Sequence, residues 1–204
     1  MILVFAVTVA VLSVLVCGGS LANVASLKLR ARWAIGLALA LQVLIVSVIP
    51  AEVDGWLGQA LELISYGLAA AFVVSNRRIP WLWLVGLGGL SNLAAIGANA
   101  GVMPASEIAL RAAGRVRHAG HFVNSTSVPK PHLEFLGDIF SVPRTWPLAN
   151  VFSVGDILLA VGALLLLHTV CESRPVETAR RARLHYWTTA PAPVPSRSPL
   201  PERP

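Results

Sequence analysis

Apolar residues in this chain come in long blocks, not in the short alternation of a strand or the one-sided stripe of a surface helix. Residues 2–16 are interrupted only by Thr8 and Ser13, and residues 33–49 carry Gln42 and Ser47 as their polar side chains. Blocks of this kind approach the length of about 20 apolar residues that a membrane-crossing helix needs. The pattern predicts spans at about residues 1–22, 33–49, 56–74, 81–99 and 154–171. Pro50 and Pro80 punctuate the links, because proline removes a backbone donor and ends a helix. The chain is organised around residues 81–99. They begin as an apolar helix, gather Ser91, Asn92 and Asn99, and break at Gly101 and Pro104 into the long polar segment 100–153.

The predicted fold is therefore an all-α membrane protein. A five-span transmembrane bundle fills residues 1–171, with an extracytoplasmic loop at 100–153 and a basic, proline-rich, disordered cytoplasmic tail at 172–204. Composition agrees: 55% of residues are hydrophobic and 13% charged, against roughly 25% charged in a soluble domain, and the mean hydropathy is +0.70. The first lysine is Lys28, so the opening block lacks the basic start of a signal peptide and reads as a retained span.

Charge sets an orientation. The net charge of +6 would suit nucleic acid, but the bases sit in short flanks between apolar blocks. Lys28, Arg30 and Arg32 follow the first block, none follows the second, and Arg77 and Arg78 follow the third. By the positive-inside rule the N-terminus lies outside and the C-terminus in the cytoplasm of a cell-membrane protein. Membrane lipids are the expected partners, with a homo-oligomer or a membrane partner protein as further expectations and nucleic acid excluded. Arg111 and Arg115 in the long loop, and Arg180, Arg181 and Arg183 in the tail, are the candidate contacts to lipid head groups. Ser106 is placed to cap a helix running to about residue 118, with Glu107 and Arg111 at ion-pair spacing. Cys17 and Cys171 make no disulfide framework.

Candidate chemistry is sparse. Glu62 lies within the third block, where an ionisable group needs a partner or a wet cavity. Asn92 and Asn99 stand seven residues apart, on one helical face. Asp138 and Asp156 each sit in a Gly-Asp-Ile motif, 18 residues apart. Ser153-Val154-Gly155-Asp156 matches a capping box, and Asp138 fits a turn after Gly137. Glu62, Asn92, Asn99, Asp138 and Asp156 are the candidate lining of one outward polar pocket, and interhelical hydrogen bonding is the competing reading. His118, His121 and His132 share the loop with Glu134, but no metal motif is present. No catalytic residue, metal or cofactor is predicted. Gly86, Gly88 and Gly89 suit close helix packing.

Asn92, the Asn99-Ala100-Gly101-Val102-Met103-Pro104 run, Leu136-Gly137-Asp138-Ile139 with Pro143, and Phe152-Ser153-Val154-Gly155-Asp156-Ile157 with Gly162 resemble a bacterial membrane-protein family known only as a domain of unknown function, from actinobacteria and firmicutes. The resemblance spans about residues 1–167. It implies a multi-pass membrane protein and supplies no activity, substrate or cofactor. Two functions stand open: binding of a small polar ligand, ion or lipid head group at the outward pocket, or a non-catalytic membrane scaffold that contacts lipids or a partner protein. A membrane enzyme using paired aspartates ranks below both, so the protein is expected not to be an enzyme.

Overall fold

The computed structural model describes residues 2–47, 55–114, 125–126 and 130–189. Helices α1 (Ile2–Val16), α2 (Ala22–Ala25), α3 (Arg32–Ser47), α4 (Gly55–Ser75) and α5 (Leu82–Ala98) come first. Then follow β1 (Met103–Pro104), α6 (Glu107–Ala112), β2 (Ser125–Thr126), a 3-10 turn (Glu134–Leu136), β3 (Phe140–Val142), β4 (Asn150–Phe152), α7 (Val154–Val170) and α8 (Arg174–Thr189).

Helix ends are set by backbone chemistry rather than by the end of an apolar run. After α1, Gly18 turns left-handed at φ 72. Its amide donates to Leu15 and that of Gly19 to Val14, the paired 5→2 and 6→1 bonds of a Schellman stop. The same 6→1 bond closes α5, from Gly101 to Ile96, and α7, from Ser173 to His168. There the left-handed position is held by Ala100 and Glu172, residues for which that conformation is uncommon.

The packing centres on α5 and α7, whose mutual contact is the most extensive in the molecule; α1 lies on α7, and α3 pairs with α4. Glycines bring the α5 and α7 backbones together. A Cβ on Gly88 would stand 2.6 Å from the Gly155 carbonyl, and one on Gly162 would stand 2.9 Å from the Val85 nitrogen. Gly89, by contrast, faces open space. Ala34, Phe72 and Leu82 form one buried cluster, Ala95, Ile96 and Met103 a second, and Ala109, Ala113 and Val151 a third.

Within the segment expected as a loop, the described residues form short paired elements. β1 pairs with β2 in parallel, Met103 opposite Ser125. β3 and β4 form an antiparallel pair with Phe140 and Phe152 stacked, ring centroids 5.4 Å apart. Ala105 bridges to Asp138. α6 is six residues long rather than reaching residue 118, and Ser106 makes no side-chain cap. Ala109 of α6 and Ala113 at its C-cap are buried, while Ile108 is exposed.

The five-span membrane fold is overturned. Among the described residues no single helix is long and apolar enough to cross a membrane; the apolar stretches are Ile2–Val16, Arg32–Ile45, Ala60–Ser75 within α4, and Leu82–Ala98. The 17 residues of α5 rise about 26 Å at 1.5 Å each, short of a hydrocarbon core of about 30 Å. Only α7 joined to the start of α8, bent by 71° at the break, passes by length and composition. The hydropathy blocks overran the helices because Cys17, Asn99 and their neighbours are turn residues inside apolar sequence. The multi-pass architecture, the N-outside and C-cytoplasmic orientation, the cell-membrane placement and the lipid partnership all rested on those spans and go with them. The expected disordered tail is helical over Arg174–Thr189.

Candidate functional site

The first turn of α7 holds a polar cluster shared with α5. Ser153, wholly buried, accepts at Oγ from the Asp156 amide (3.0 Å), and the Ser153 amide donates to Asp156 Oδ2 (3.2 Å). This is the capping box that the Ser-Val-Gly-Asp spelling predicts. Asn92 of α5 completes a ring. Its Oδ1 accepts from Ser153 Oγ (2.9 Å), and its Nδ2 donates to Asp156 Oδ1 (3.0 Å). The carboxylate also meets the positive end of the α7 dipole. Gly155 permits the approach, since a Cβ there would overlap the Asn92 amide.

Asn99 works elsewhere. Its Nδ2 donates to the carbonyls of His132 and Ala95 (both 2.7 Å), and its Oδ1 accepts from the His132 amide (2.9 Å). The side chain thus imitates a peptide unit and pins the segment before the 3-10 turn to the end of α5. Asp138 is buried; its backbone amide donates to the Pro104 carbonyl (2.9 Å), and its carbonyl accepts from Ser106 (3.1 Å). A Cβ on Gly137 would collide with the Pro104 carbonyl, which accounts for the glycine before this aspartate.

Glu62 lines a crevice of about 120 Å³ between α4 and α5, with Leu63, Leu93, Ile96, Gly97, Ala100 and Gly101. Burial raises the Glu62 carboxyl above its ordinary range. Tyr66, one turn on, is pushed up to about 12, first by burial and then by the charges of Glu62 and Asp156. Of the predicted pocket residues only Asn92 and Asp156 are shown in direct contact. The crevice is lined by Glu62 and by none of the other four, so the shared polar pocket, and the ligand-binding function drawn from it, do not stand.

The candidate lipid contacts fare no better. Arg111 pairs with Glu107 (3.1 Å) and Arg181 with Glu177 (2.9 Å) on exposed helix faces, where such pairs stabilise little. Arg180 is exposed. Arg115, with His118 and His121, lies outside the described residues, as does the side chain of Arg183. Among the described residues no group of three histidines, cysteines or acids could hold a metal.

Two polar sites escaped the sequence reading. Asn76 repeats the Asn99 device: Oδ1 accepts from the Arg30 amide (2.9 Å), and Nδ2 donates to the carbonyls of Arg30 and Phe72 (both 2.8 Å). Its neighbours Arg77 and Arg78 drew attention to charge instead. At the far end of α7, His168 Nε2 lies 2.9 Å from Ser13 Oγ of α1, and Nδ1 lies 2.7 Å from Ser173 Oγ. A histidine in the last turn of a predicted helix was the available clue.

Comparison with known proteins adds one result. A family model described as a family of unknown function, DUF5317, matches residues 26–168. The chain belongs to this family. The match covers Asn76, Asn92, Asn99, Asp138, Asp156 and His168, and stops before Ser173 and α8. It carries the family name alone, without the bacterial range or the multi-pass architecture that the resemblance implied. No match was found among the curated proteins or the solved structures.

Proposed function

We propose that this DUF5317 protein has a structural, non-catalytic role, in which α5 and α7 form a base that holds β1, α6, β3 and β4 in a set position. The observation that carries this reading is the closed ring of Asn92, Ser153 and Asp156. Each of these side chains is engaged by a neighbouring helix or by its own backbone, so Asn92 and Asp156 serve as parts of a joint. Asn99 and the backbone bonds of Asp138 to Pro104 and Ser106 extend the same joint into these elements. Apolar side chains exposed on α1, α3 and α5, such as Phe5, Leu12, Leu39, Val43 and Leu90, are the surface such a protein would use to pack on another polypeptide.

Native mass spectrometry and thermal unfolding of the wild type beside Asp156→Asn test the proposal. The expected result is a variant of lower melting temperature, with no small molecule specific to the wild type. A discrete ligand carried by the wild type and lost from a variant of unchanged stability would contradict it.

A further inference from the structure

The ends of α1, α4 and α7 and the starts of α3 and α5 meet at one end of the molecule. Asn76 exchanges hydrogen bonds with both backbone groups of Arg30 (2.8 and 2.9 Å), so the link before α3 lies against the link between α4 and α5. Trp81 Nε1 donates to Thr169 Oγ1 (3.0 Å), which brings the start of α5 to the end of α7. The Ser20 amide donates to the Cys171 carbonyl (2.9 Å) and the Arg174 amide to the Cys17 carbonyl (3.0 Å), so the exit of α1 closes on the turn between α7 and α8.

This end is basic. Lys28, Arg30 and Arg32 stand at the first link, Arg77 and Arg78 on the second, and Arg174, Arg180 and Arg181 on α8, all of them exposed. Against these eight bases the described residues of this end hold two acids, Glu172 and Glu177, and Glu177 is engaged by Arg181. The other described charges lie on the first half of α4 and from β1 to the first turn of α7, where five acids face three bases. Like charges crowded in this way repel one another, and a partner of opposite charge relieves the repulsion. Arginine suits a carboxylate partner, because its planar fork grips the two oxygens with parallel bonds.

Apolar side chains border the bases. Trp33 and Val74 are each 67% exposed and Trp83 is 57% exposed, in the first turn of α3, the last of α4 and the first of α5. A phosphate backbone would meet the arginines and leave Val74 in water, whereas a polypeptide with apolar residues among its acids covers both kinds of group. We propose that this end, formed by the two basic links and the turn into α8, is the docking surface for an acidic polypeptide segment that carries apolar side chains between its acids. The docking rests on the structural role proposed above, in which exposed apolar faces pack on another polypeptide, and it adds the chemistry of that partner.

The experiment is fluorescence anisotropy of the full chain with two labelled probes of equal charge, a short peptide of repeated Glu-Glu-Leu and a single-stranded oligothymidylate. At about 0.1 M salt the peptide is expected to bind more tightly than the oligonucleotide, and to weaken as added salt screens the charges. Arg77→Glu combined with Arg78→Glu is expected to weaken the peptide about tenfold. Lys28→Glu combined with Arg32→Glu, at the other link, should do the same, so either pair decides if the other fails to fold. Trp33→Gln should weaken the peptide about threefold. All five side chains are exposed, and thermal unfolding checks that each variant keeps the wild-type melting temperature. No peptide binding, tighter binding of the oligonucleotide, or peptide binding left unchanged by the folded charge-reversed variants or by Trp33→Gln would each overturn the docking surface. Asp156→Asn lies far from this end, so failure of the joint and failure of the docking surface give different results.

Discussion

The two ends of α7 are built from the same kinds of group and behave differently. At the N-terminal end an acid, a serine and an asparagine from α5 close a ring in which every donor meets an acceptor. At the C-terminal end a histidine and two serines, one of them from α1, meet through hydrogen bonds to both ring nitrogens. Each end complements the helix dipole, acid at the start and base at the finish. The first is a fixed joint. In the second the directions depend on the tautomer, because a carboxylate and an amide have their hydrogen-bonding roles set, whereas either nitrogen of a neutral imidazole can be the donor.

The comparison can be broken in order of expected effect. Gly155→Ala should be the most damaging single change. A methyl group there displaces the Asn92 amide and opens the ring as well as overpacking the helix contact, a combined loss of roughly 3 kcal/mol in denaturant unfolding. Asn92→Ala should cost about 2 kcal/mol, since it leaves the buried Ser153 hydroxyl and the Asp156 carboxylate short of a partner. The cost should be the same at about pH 5.5 and about pH 7.5. A loss that changed between those values would show that the joint is not fixed.

The asparagine clamps should respond more locally. Asn99→Ala should speed exchange at the His132 amide, and Asn76→Ala at the Arg30 amide, each with a loss of about 1 kcal/mol and no effect at the other clamp. The smallest effect belongs to Glu62→Gln. Burial raises the Glu62 carboxyl, so the folded protein holds that proton more tightly than the unfolded chain, and ionisation costs stability as pH rises through the raised value. The glutamine variant should be slightly more stable than the wild type at neutral pH, and the difference should vanish below the ordinary carboxylate value of 4.5. Thermal unfolding at both pH values checks the sign.

What could be read from the sequence was local. The capping box at Ser153 and Asp156 spans one helical turn and is spelled out in four residues. The Glu107–Arg111 pair and the tight packing at Gly86 and Gly88 also follow from short spacing. Partners far apart in the chain were not legible. Ser13 meets His168 across 155 positions and Arg30 meets Asn76 across 46, and nothing near either residue announces the other. The membrane reading failed for a related reason. Apolar runs count every residue, whereas a helix stops where a left-handed residue lets its last carbonyls be satisfied. Gly18 was visible as such a stop; Ala100 and Glu172, in the same conformation, were not. The pocket failed because Asn92 and Asn99 share a helical face but look to different partners, one to α7 and the other to His132.

The central claim is that Asn92 and Asp156 form a joint. A double-mutant cycle of Asn92→Ala and Asp156→Asn, read by chemical denaturation, tests it most directly. The account predicts that the double variant loses less than the sum of the single losses, with a coupling of about 1 kcal/mol or more. Strictly additive losses would mean that the two side chains do not hold each other, and the structural role proposed for them would be wrong.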